Sequence, residues 1–418
     1  MTPASEPARR EVVVMVTTSY PRFPGDTIGT FMEPIAHGVA RRGHEVHVVL
    51  PWHPQLRRGP VEDGVRFHPF RYAPLRLLNV FGYAAALRED VSLRPAAWMA
   101  TPLALAAGWR KARKIAWKFG ATVMHAHWVV PGGVMGALAA PRLPLVVSLH
   151  GSDVYVAERH AMVGRAARWV FGRAGFVTAC SDDLRERAIR LGAARDRSET
   201  IPYGVDADRF RPDPAARAAR RAAAGLGPDD PVLFTAGRFV RKKGFEYLVD
   251  AAAELSQRFP TLRLIMGGGG DLGGELRARA AALGVGDRVS FPGVLGHAEV
   301  AEWLAAADVA VVPSVRDDSG NVDGLPNVVM EALASGTPLV ATRAGGIGAV
   351  TEDGRSALLV AERDGAALAS AIGRLLVEPG LRASIGAEAR RAALERHGWD
   401  RVAGRFEAAY RDARRKRS

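Results

Sequence analysis

The chain has 418 residues, of which 48% are hydrophobic and 24% are charged, the composition of an ordinary soluble globular protein. A single cysteine, Cys180, excludes an internal disulfide and favours a reducing compartment. Its ordinary role would be that of a small buried residue at the end of a strand. No run reaches the roughly 18 apolar residues of a membrane-spanning helix. We expect no signal peptide, because Glu6 and Glu11 precede the short apolar run at 12–16.

The net charge of +13 is concentrated in the first half of the chain. Residues 1–200 contain 27 basic and 16 acidic residues, a balance of +11, whereas residues 201–418 contain 30 and 28, a balance of +2. A basic half could attract nucleic acid, an anionic lipid surface or a phosphorylated substrate. The charge count alone does not choose among these partners.

The first half alternates short β-rich runs with helical patterns. Several of the runs are continuously apolar, which is typical of strands buried on both faces of a parallel sheet. Strands are predicted at 12–18, 45–50, 65–70, 122–127, 145–149, 176–179 and 199–202, and helices between them include 31–42 and 182–191. At about 100–200 residues per domain, the length favours two domains, and the alternation predicts that the first is an α/β doubly wound domain.

The second half repeats this alternation after a stretch rich in Gly, Asp and Pro at 203–214, which we interpret as a linker. The predicted strands are 232–236, 262–266, 289–291, 309–312 and 339–341, and the predicted helices are 245–257, 274–283, 300–306, a closing group within 365–397 and a last helix with a basic end at 397–417. The chain is therefore predicted to form two Rossmann-like domains. Open α/β sheets bind ligands at the carboxyl ends of their strands, so the loops after strands are the candidate sites.

Two loops of the first half are candidate ligand contacts. Gly29 lies near the start of the helix after the first strand, where a glycine lets the backbone approach a ligand and the helix N-terminus favours an anion. His150 and Asp153 follow a buried strand, and His150 could donate a hydrogen bond or move a proton. The structural alternatives are an ordinary turn at Gly29 and a structural histidine at the strand end.

Two polar patterns resemble metal sites, and we predict that neither binds a metal. His125 and His127 alternate on a strand and therefore point to one face, but no third ligand is evident near them. The acids of the DAD sequence at 206–208 lie in the linker. We therefore predict that the protein has no metal site.

Two loops of the second half have the features of phosphate and backbone contacts. Arg238 and Lys243 lie in the basic sequence GRFVRKKG after the strand at 232–236, and cations beside a helix N-terminus form a phosphate site. The alternative is a solvated basic turn. Gly268 belongs to the glycine run 267–270, which follows the next strand but matches neither the Rossmann fingerprint nor a P-loop.

The sequence DGLPNVVMEALASG at 323–336 places an acid, Glu331, on an apolar helix that ends at Gly336. Residues 328–334 otherwise offer no polar face, so the helix is predicted to be buried. An ionised carboxylate buried without partners costs several kcal/mol or shifts its pKa, so Glu331 needs donors, either a structural arginine or ligand hydroxyls. Asp323 stands eight residues earlier, just before a turn whose N–H groups would face the same space. The residues of that turn are Gly324, Leu325 and Pro326.

The ordered set of motifs resembles the retaining family 4 glycosyltransferases of the GT-B fold. It consists of the Gly29 loop, HGSD, CSDDLRE, IPYGVDADRFRP, GRFVRKKG, MGGGGD, FPGVLG and two acids separated by seven residues. The resemblance spans residues 12–412 and implies two Rossmann-like domains facing a cleft. It implies an acceptor-binding domain at 1–205, a nucleotide-sugar-binding domain at 206–396 and a C-terminal helix at 397–418 that packs back on the first domain.

The resemblance also implies roles for individual residues. Arg238 and Lys243 would bind the donor diphosphate, and Glu331 would accept the ribose hydroxyls. The implied catalytic residues are His150, which would contact the transferred sugar, Asp153 beside it, and Asp323 near the donor sugar. The remaining donor contacts would be Gly29, Gly268, the backbone at Val294, Gly324, Leu325 and Pro326. The family usually has Glu at the position of Asp323, so the shorter side chain could change the reach of this acid or the donor preference.

The implied activity is the metal-independent, retaining transfer of a sugar from a nucleotide sugar, with a UDP- or GDP-sugar favoured, to a glycan, lipid-linked or small-molecule acceptor in polysaccharide biosynthesis. No cofactor beyond this co-substrate is expected. The alternatives are a nucleotide-sugar epimerase of the same fold and a non-enzymatic binder of anionic surfaces, although charge does not explain the buried acid.

The expected location is cytoplasmic, with no nucleic-acid partner. The apolar run 96–109 and the basic run 110–118 together are typical either of an element that contacts an anionic membrane peripherally or of a core helix with a solvated end. A membrane contact would be at the inner face of the membrane.

Overall fold

The computed structural model describes residues 10–73, 79, 87–88, 92–93 and 95–415. Its contacts divide the chain into two compact units. Unit 1 is formed by the described residues of Met1–Cys180, Leu184–Ile201 and Val402–Ser418, and unit 2 is formed by Ser181–Asp183 and Pro202–Arg401. Among the described residues, none of the helices combines the length and the apolar character that crossing a bilayer requires.

Unit 1 is built on an eight-stranded sheet with the order β10-β9-β8-β7-β1-β2-β4-β3. The strands of this unit are β1 (Val12–Val16), β2 (Glu45–Pro51), β3 (Val61–Glu62), β4 (Val65–Phe70), the separate pair β5 (Leu87–Arg88) and β6 (Ser92–Leu93), then β7 (Val123–His127), β8 (Leu145–Leu149), β9 (Phe176–Ala179) and β10 (Ser198–Thr200). All neighbours in the large sheet are parallel except β3 and β4. The central strands are buried along their length, as their continuously apolar sequences predict.

The helices of unit 1 pack on this sheet. They are α1 (Met32–Arg41), α2 (Pro95–Lys118), α3 (Val134–Ala139), α4 (Ser152–Arg159), α5 (Ala161–Arg173) and α6 (Asp182–Arg190). The runs 96–109 and 110–118 form the single 24-residue helix α2. Ala104, Ala112 and Ile115 of this helix are buried against the unit, whereas Arg110, Arg113 and Lys114 are exposed on its other side.

Unit 2 is built on a six-stranded parallel sheet with the order β13-β12-β11-β14-β15-β16. Its strands are β11 (Val232–Ala236), β12 (Arg263–Gly267), β13 (Val289–Gly293), β14 (Val309–Val312), β15 (Leu339–Thr342) and β16 (Leu358–Val360). Its helices are α7 (Pro214–Ala223), α8 (Phe245–Arg258), α9 (Gly273–Ala282), α10 (His297–Ala306), α11 (Asn327–Ser335), α12 (Gly365–Val377) and α13 (Pro379–Arg396). The strand order reverses at β11, where a parallel sheet opens a ligand crevice at its carboxyl edge.

The last helix, α14 (Trp399–Arg415), begins in unit 2 and continues into unit 1. Its buried Tyr410 hydroxyl lies 2.9 Å from His125 Nδ1 on β7. Arg42, which follows α1, donates from Nε to Glu407 Oε2 at 2.8 Å. These contacts make α14 part of the packing of unit 1.

The twelve strands and the α/β doubly wound architecture predicted from the sequence are confirmed. The stretch at 203–214, interpreted as a linker, is packed into unit 2 instead. Arg390 donates to the carbonyl oxygens of Ala207 and Phe210, and Phe210 is buried. These contacts hold the stretch against α13.

Candidate functional site

Two lysines and an acid meet at the carboxyl edge of the unit 2 sheet. Lys242 and Lys243 lie in a short helical turn after β11, and Asp323 lies in the loop between β14 and α11. Lys242 Nζ is 3.2 Å from Asp323 Oδ1, and Lys243 Nζ contacts Asp323 Oδ2. The two loops meet because β11 and β14 are neighbouring parallel strands.

The charge of Asp323 is fixed by these lysines. Burial alone would raise the pKa of this carboxyl, but Lys243 and Lys242 lower the pKa to about 2. Asp323 is therefore ionised at neutral pH, and the Lys242–Asp323–Lys243 group carries a net positive charge. Lys242 was not among the site residues predicted from the sequence, because a basic run does not show that this lysine is buried.

Glu331 stands alone on α11, a helix in which seven of nine residues are buried. The predicted burial and the C-terminal Gly336, at φ 65°, are confirmed. Within the described part of the chain Glu331 makes no hydrogen bond and no ion pair, so the alternative of a structural arginine partner is not observed there. Burial raises the pKa of Glu331 to about 7, although the charges of Lys243 and Arg209 act to lower it.

The turn that precedes α11 is packed tightly. Gly324, Leu325 and Pro326 are buried, and Pro326 stands immediately before the first helical residue with φ −65° and ψ 125°. A side chain on Gly345 would clash with the carbonyl oxygen of Asp323, because an added Cβ would lie 1.9 Å from it. The loop after β15 therefore supports the backbone that carries Asp323.

The other predicted donor contacts of unit 2 lie on the β11–β13 side of the same edge. Gly268 has φ +143°, and an added Cβ would lie 1.8 Å from the carbonyl oxygen of Gly237, so only glycine fits there. Lys243 packs against Gly237, because a Cβ added to Gly237 would lie 3.3 Å from Lys243 Cε. Arg238 is exposed, and the Val294 side chain is 67% exposed.

His150 of unit 1 is held by rings on several sides. Its Nε2 lies 3.0 Å from His127 Nδ1, and the two imidazoles stack. The rings of Phe31 and Trp128 lie 4.5 and 4.9 Å from it, centroid to centroid. Burial lowers the pKa of His150 to about 3, so the ring is neutral at physiological pH.

Gly29 belongs to the loop that brings Phe31 to this histidine. It has φ +65°, and an added Cβ would lie 2.9 Å from Ser19 Oγ. Its carbonyl oxygen accepts a hydrogen bond from the Met32 N–H at the start of α1. Gly29 thus closes the turn from which Phe31 reaches His150, and the structure groups Gly29, His150 and Asp153 in unit 1.

Asp153 uses its carboxylate on the backbone. Oδ2 accepts the Val129 N–H at 2.7 Å, and Oδ1 accepts the Gly151 N–H at 3.3 Å. Burial raises the pKa of Asp153 to about 6, and these backbone hydrogen bonds oppose the rise. Because Asp153 ties the segment after β7 to the segment after β8, its contacts are those of a residue that positions His150.

Two further buried polar residues were not among the site residues predicted from the sequence. His127 is buried, and its Nε2 has no hydrogen-bond partner in the part of the chain that the structure describes. Asn321, two residues before Asp323, is also buried, and neither its amide oxygen nor its amide nitrogen has a partner there. A polar residue in a loop ordinarily signals exposure, so no sequence pattern marks Asn321. Over the described residues no group of three His, Cys, Asp or Glu side chains could hold a metal ion.

Comparisons with known proteins identify the family of this chain. Residues 28–209 match the family model described as Glycosyltransferase Family 4, and residues 230–378 match the one described as Glycosyl transferases group 1. A D-inositol 3-phosphate glycosyltransferase from Acidothermus cellulolyticus is 34% identical over 97% of this chain and 90% of its own length. A GDP-mannose-dependent alpha-(1-6)-phosphatidylinositol monomannoside mannosyltransferase from Mycolicibacterium smegmatis is 36% identical over 64% of this chain and 71% of its own.

Solved structures show the same fold. Sucrose-phosphate synthase from Thermosynechococcus elongatus superposes with a TM-score of 0.77 at 22% identity, covering 97% of this chain and 100% of its own. HepE from Anabaena, in complex with UDP and glucose, gives a TM-score of 0.75 at 22% identity, covering 96% and 99%. The predicted GT-B fold is thereby confirmed. The chain belongs to the group 1, or family 4, glycosyltransferases, and it is a nucleotide-sugar-dependent enzyme of that family.

Proposed function

We propose that unit 2 binds a UDP- or GDP-sugar and that the enzyme transfers this sugar, with retention of anomeric configuration and without a metal ion, to an acceptor bound by unit 1. A glycan, a lipid-linked molecule or a small molecule would serve as acceptor. The names of two relatives support these classes of donor and acceptor. One relative is named for a GDP-mannose donor and a phosphatidylinositol monomannoside acceptor, and the other is named for inositol 3-phosphate. No cofactor beyond the co-substrate is proposed.

The observation that carries this proposal is the unpartnered carboxylate of Glu331. Ionising a half-buried acid on an apolar helix costs free energy unless hydrogen-bond donors reach it. The vicinal hydroxyls of a ribose are two adjacent donors that one carboxylate accepts together. Binding a ribose at Glu331 would therefore favour the ionised form and lower its pKa from about 7.

The lysine pair supports a diphosphate beside this ribose site. During transfer, negative charge grows on the leaving diphosphate, and cations already aimed at it stabilise the transition state. Lys242 and Lys243 are held in place by Asp323 before any ligand binds, so little reorganisation is needed. Two fixed ammonium groups are the basis for proposing that no metal ion is required.

The identity of the donor can be tested by a thermal-shift screen with UDP-, GDP-, ADP- and TDP-sugars. A ligand at 100 times its dissociation constant stabilises a folded protein by about 2.7 kcal/mol, so the correct base should stand out. Product from the best donor would then be identified by mass spectrometry and its anomeric configuration by NMR. An epimerised free nucleotide sugar without a glycosylated product would contradict a transferase.

The proposal of metal independence has its own test. We expect the rate of transfer to be unchanged after dialysis against EDTA, because the lysines supply the positive charge at the diphosphate. The control is the same assay with added Mg²⁺ or Mn²⁺. Complete loss of activity in EDTA with recovery on adding a divalent ion would show that the lysines are insufficient.

A further inference from the structure

One face of unit 1 is formed by α2, α3 and α5 and takes no part in the chemistry proposed above. We infer that this face, called here the α2–α3–α5 face, docks on the surface of a bilayer that contains anionic phospholipid. The inference does not depend on the identity of the donor or of the acceptor. It rests on exposed apolar side chains, on their placement among cations and on the absence of acids in the sequence that forms most of the face.

The most exposed apolar side chains of unit 1 lie on this face. Trp117 is 87% exposed, Met162 70%, Leu103 57% and Leu138 47%. In the described residues of unit 1 the only other large hydrophobic side chain of comparable exposure is Val61. Four exposed apolar side chains on adjacent helices form a patch, and such a patch is typical of a surface that contacts a protein partner or a membrane.

On α2 the apolar and basic side chains form one stripe. Leu103, Arg110, Lys114 and Trp117 are separated by seven, four and three residues, so they share one side of the helix over about 21 Å. All four are exposed. A tryptophan and an aliphatic side chain flanking long basic side chains are suited to the headgroup level of a membrane, where the apolar parts insert and the charges stay at the surface.

The stripe continues onto the neighbouring helices. Trp109 of α2 donates from Nε1 to the carbonyl oxygen of Leu138 on α3 at 3.1 Å. On α5, Met162 and Trp169 share one side of the helix, and the Arg173 guanidinium lies 4.0 Å from the Trp169 ring centroid. The face therefore extends over three packed helices, each of which contributes an exposed apolar side chain.

The charge of this region has one sign. Residues 91–152 contain no Asp or Glu in 62 positions but contain seven basic residues, and α5 also lacks acids. The face thus offers cations without carboxylates to compete for them, which is the complement of an anionic lipid surface. Nucleic acid would use the cations, but it would leave the exposed leucines and Met162 in water, so a lipid surface fits the whole face better.

Vesicle sedimentation tests the inference on the full-length protein. The probes are large vesicles of phosphatidylcholine alone and of phosphatidylcholine with about one third phosphatidylglycerol, a composition in the anionic regime that attracts basic segments. We expect binding to the anionic vesicles at least about tenfold tighter than to the neutral ones, and weaker binding when salt is raised from low to high ionic strength.

The variants separate this face from the overall positive charge. Each basic residue near an anionic surface is worth about 1 kcal/mol, or roughly a fivefold change in partitioning. Removing two of them in R113E/K114E should therefore weaken binding by about 25-fold or more. The pair W117S/M162S should also weaken binding, while leaving its salt dependence unchanged.

The matched control reverses two exposed arginines of unit 2, R258E/R277E, with the same change in net charge, and it should bind like the wild type. Equal losses in R113E/K114E and R258E/R277E, or no binding to anionic vesicles, would overturn the inference. Binding of duplex DNA that depends on Arg113 and Lys114, without vesicle binding, would overturn it as well. A thermal shift with the nucleotide sugar, measured on every variant, shows that the fold and the donor site are intact and separates this test from that of the proposed function.

Discussion

Ionisation of Glu331 should couple the stability of the unliganded enzyme to pH. Its pKa is raised by burial from 4.5 to about 7, so ionising it destabilises the folded state as pH rises between these values, and the penalty is constant above them. Glu331→Gln removes the penalty. The free energy of unfolding of the variant, from urea titrations, should exceed that of the wild type by roughly 1–3 kcal/mol at pH 8 and equal it at pH 4.

The same substitution should weaken donor binding, because the neutral amide is a poorer acceptor for two hydroxyls. We expect the dissociation constant of the nucleotide sugar, measured by calorimetry, to rise at least about tenfold, as for a lost charged hydrogen bond. Glu254→Gln, an exposed change of the same kind on α8, should alter neither quantity. Unchanged donor affinity in Glu331→Gln would remove the ribose role of this acid.

His127 should act on the reaction through His150. One of the two facing nitrogens must donate, and an unpaired buried N–H is rarer than an unpaired acceptor. Because His127 Nε2 has no partner among the described residues, we expect His127 to carry its proton on Nδ1 and donate to His150 Nε2. His150 then carries its own proton on Nδ1.

This arrangement can be read from the ¹⁵N shifts of labelled histidine rings. His127→Leu should abolish the tautomer preference of His150 and lower kcat by about 10- to 100-fold, the range of a lost supporting contact, with a smaller effect on KM. His127→Asn retains a polar group near the position of Nδ1 and should recover part of the rate. An unchanged His150 spectrum in His127→Leu would show that the contact is only structural.

At the scale of elements, the sequence predicted strands better than the contacts between their loops. Continuous apolar runs mark the buried parallel strands, but β3, with two residues, and β16, with three, were not predicted. The order of the motifs also predicted which loops hold the candidate residues. The Lys242–Asp323 pair and the His127–His150 contact depend on which strands are neighbours, and a linear pattern does not contain that information.

The loop after β12 depends on a glycine at 268. With φ +143° and an added Cβ only 1.8 Å from the Gly237 carbonyl oxygen, Gly268→Ala must move the backbone on both sides. We expect a loss of about 3 kcal/mol or more in the free energy of unfolding, measured by thermal and urea denaturation. The control is Gly274→Ala on α9, where an added Cβ meets nothing within 4 Å, and it should stabilise the protein by up to about 1 kcal/mol.

At the scale of the whole molecule, unit 1 includes residues from the end of the chain, which follow the whole of unit 2 in the sequence. Phe406 and Tyr410 on α14 are buried, and Tyr410 lies against His125 of β7. Glu407, also buried, accepts from Arg42, and Arg414 contacts Glu11 at the start of the sheet. Unit 1 therefore draws both apolar burial and paired charges from the last residues of the sequence.

Removing residues 402–418 should consequently destabilise unit 1 and leave unit 2 intact. Losing two buried aromatic side chains and the partner of Arg42 should cost several kcal/mol, about 3–5 for each aromatic side chain. Hydrogen exchange followed by mass spectrometry should show faster exchange in β7 and β8, with exchange in β11 and β14 unchanged.

A milder change tests one contact of α14 within the full chain. Tyr410→Phe keeps the ring but leaves His125 Nδ1 without its partner, so it should cost about 1–3 kcal/mol and accelerate exchange in the same strands to a smaller extent. Arg401→Ala, an exposed change just before the segment, should have no effect. Equal acceleration in both units would mean that they unfold together, and α14 would then stabilise the molecule as a whole instead of completing unit 1.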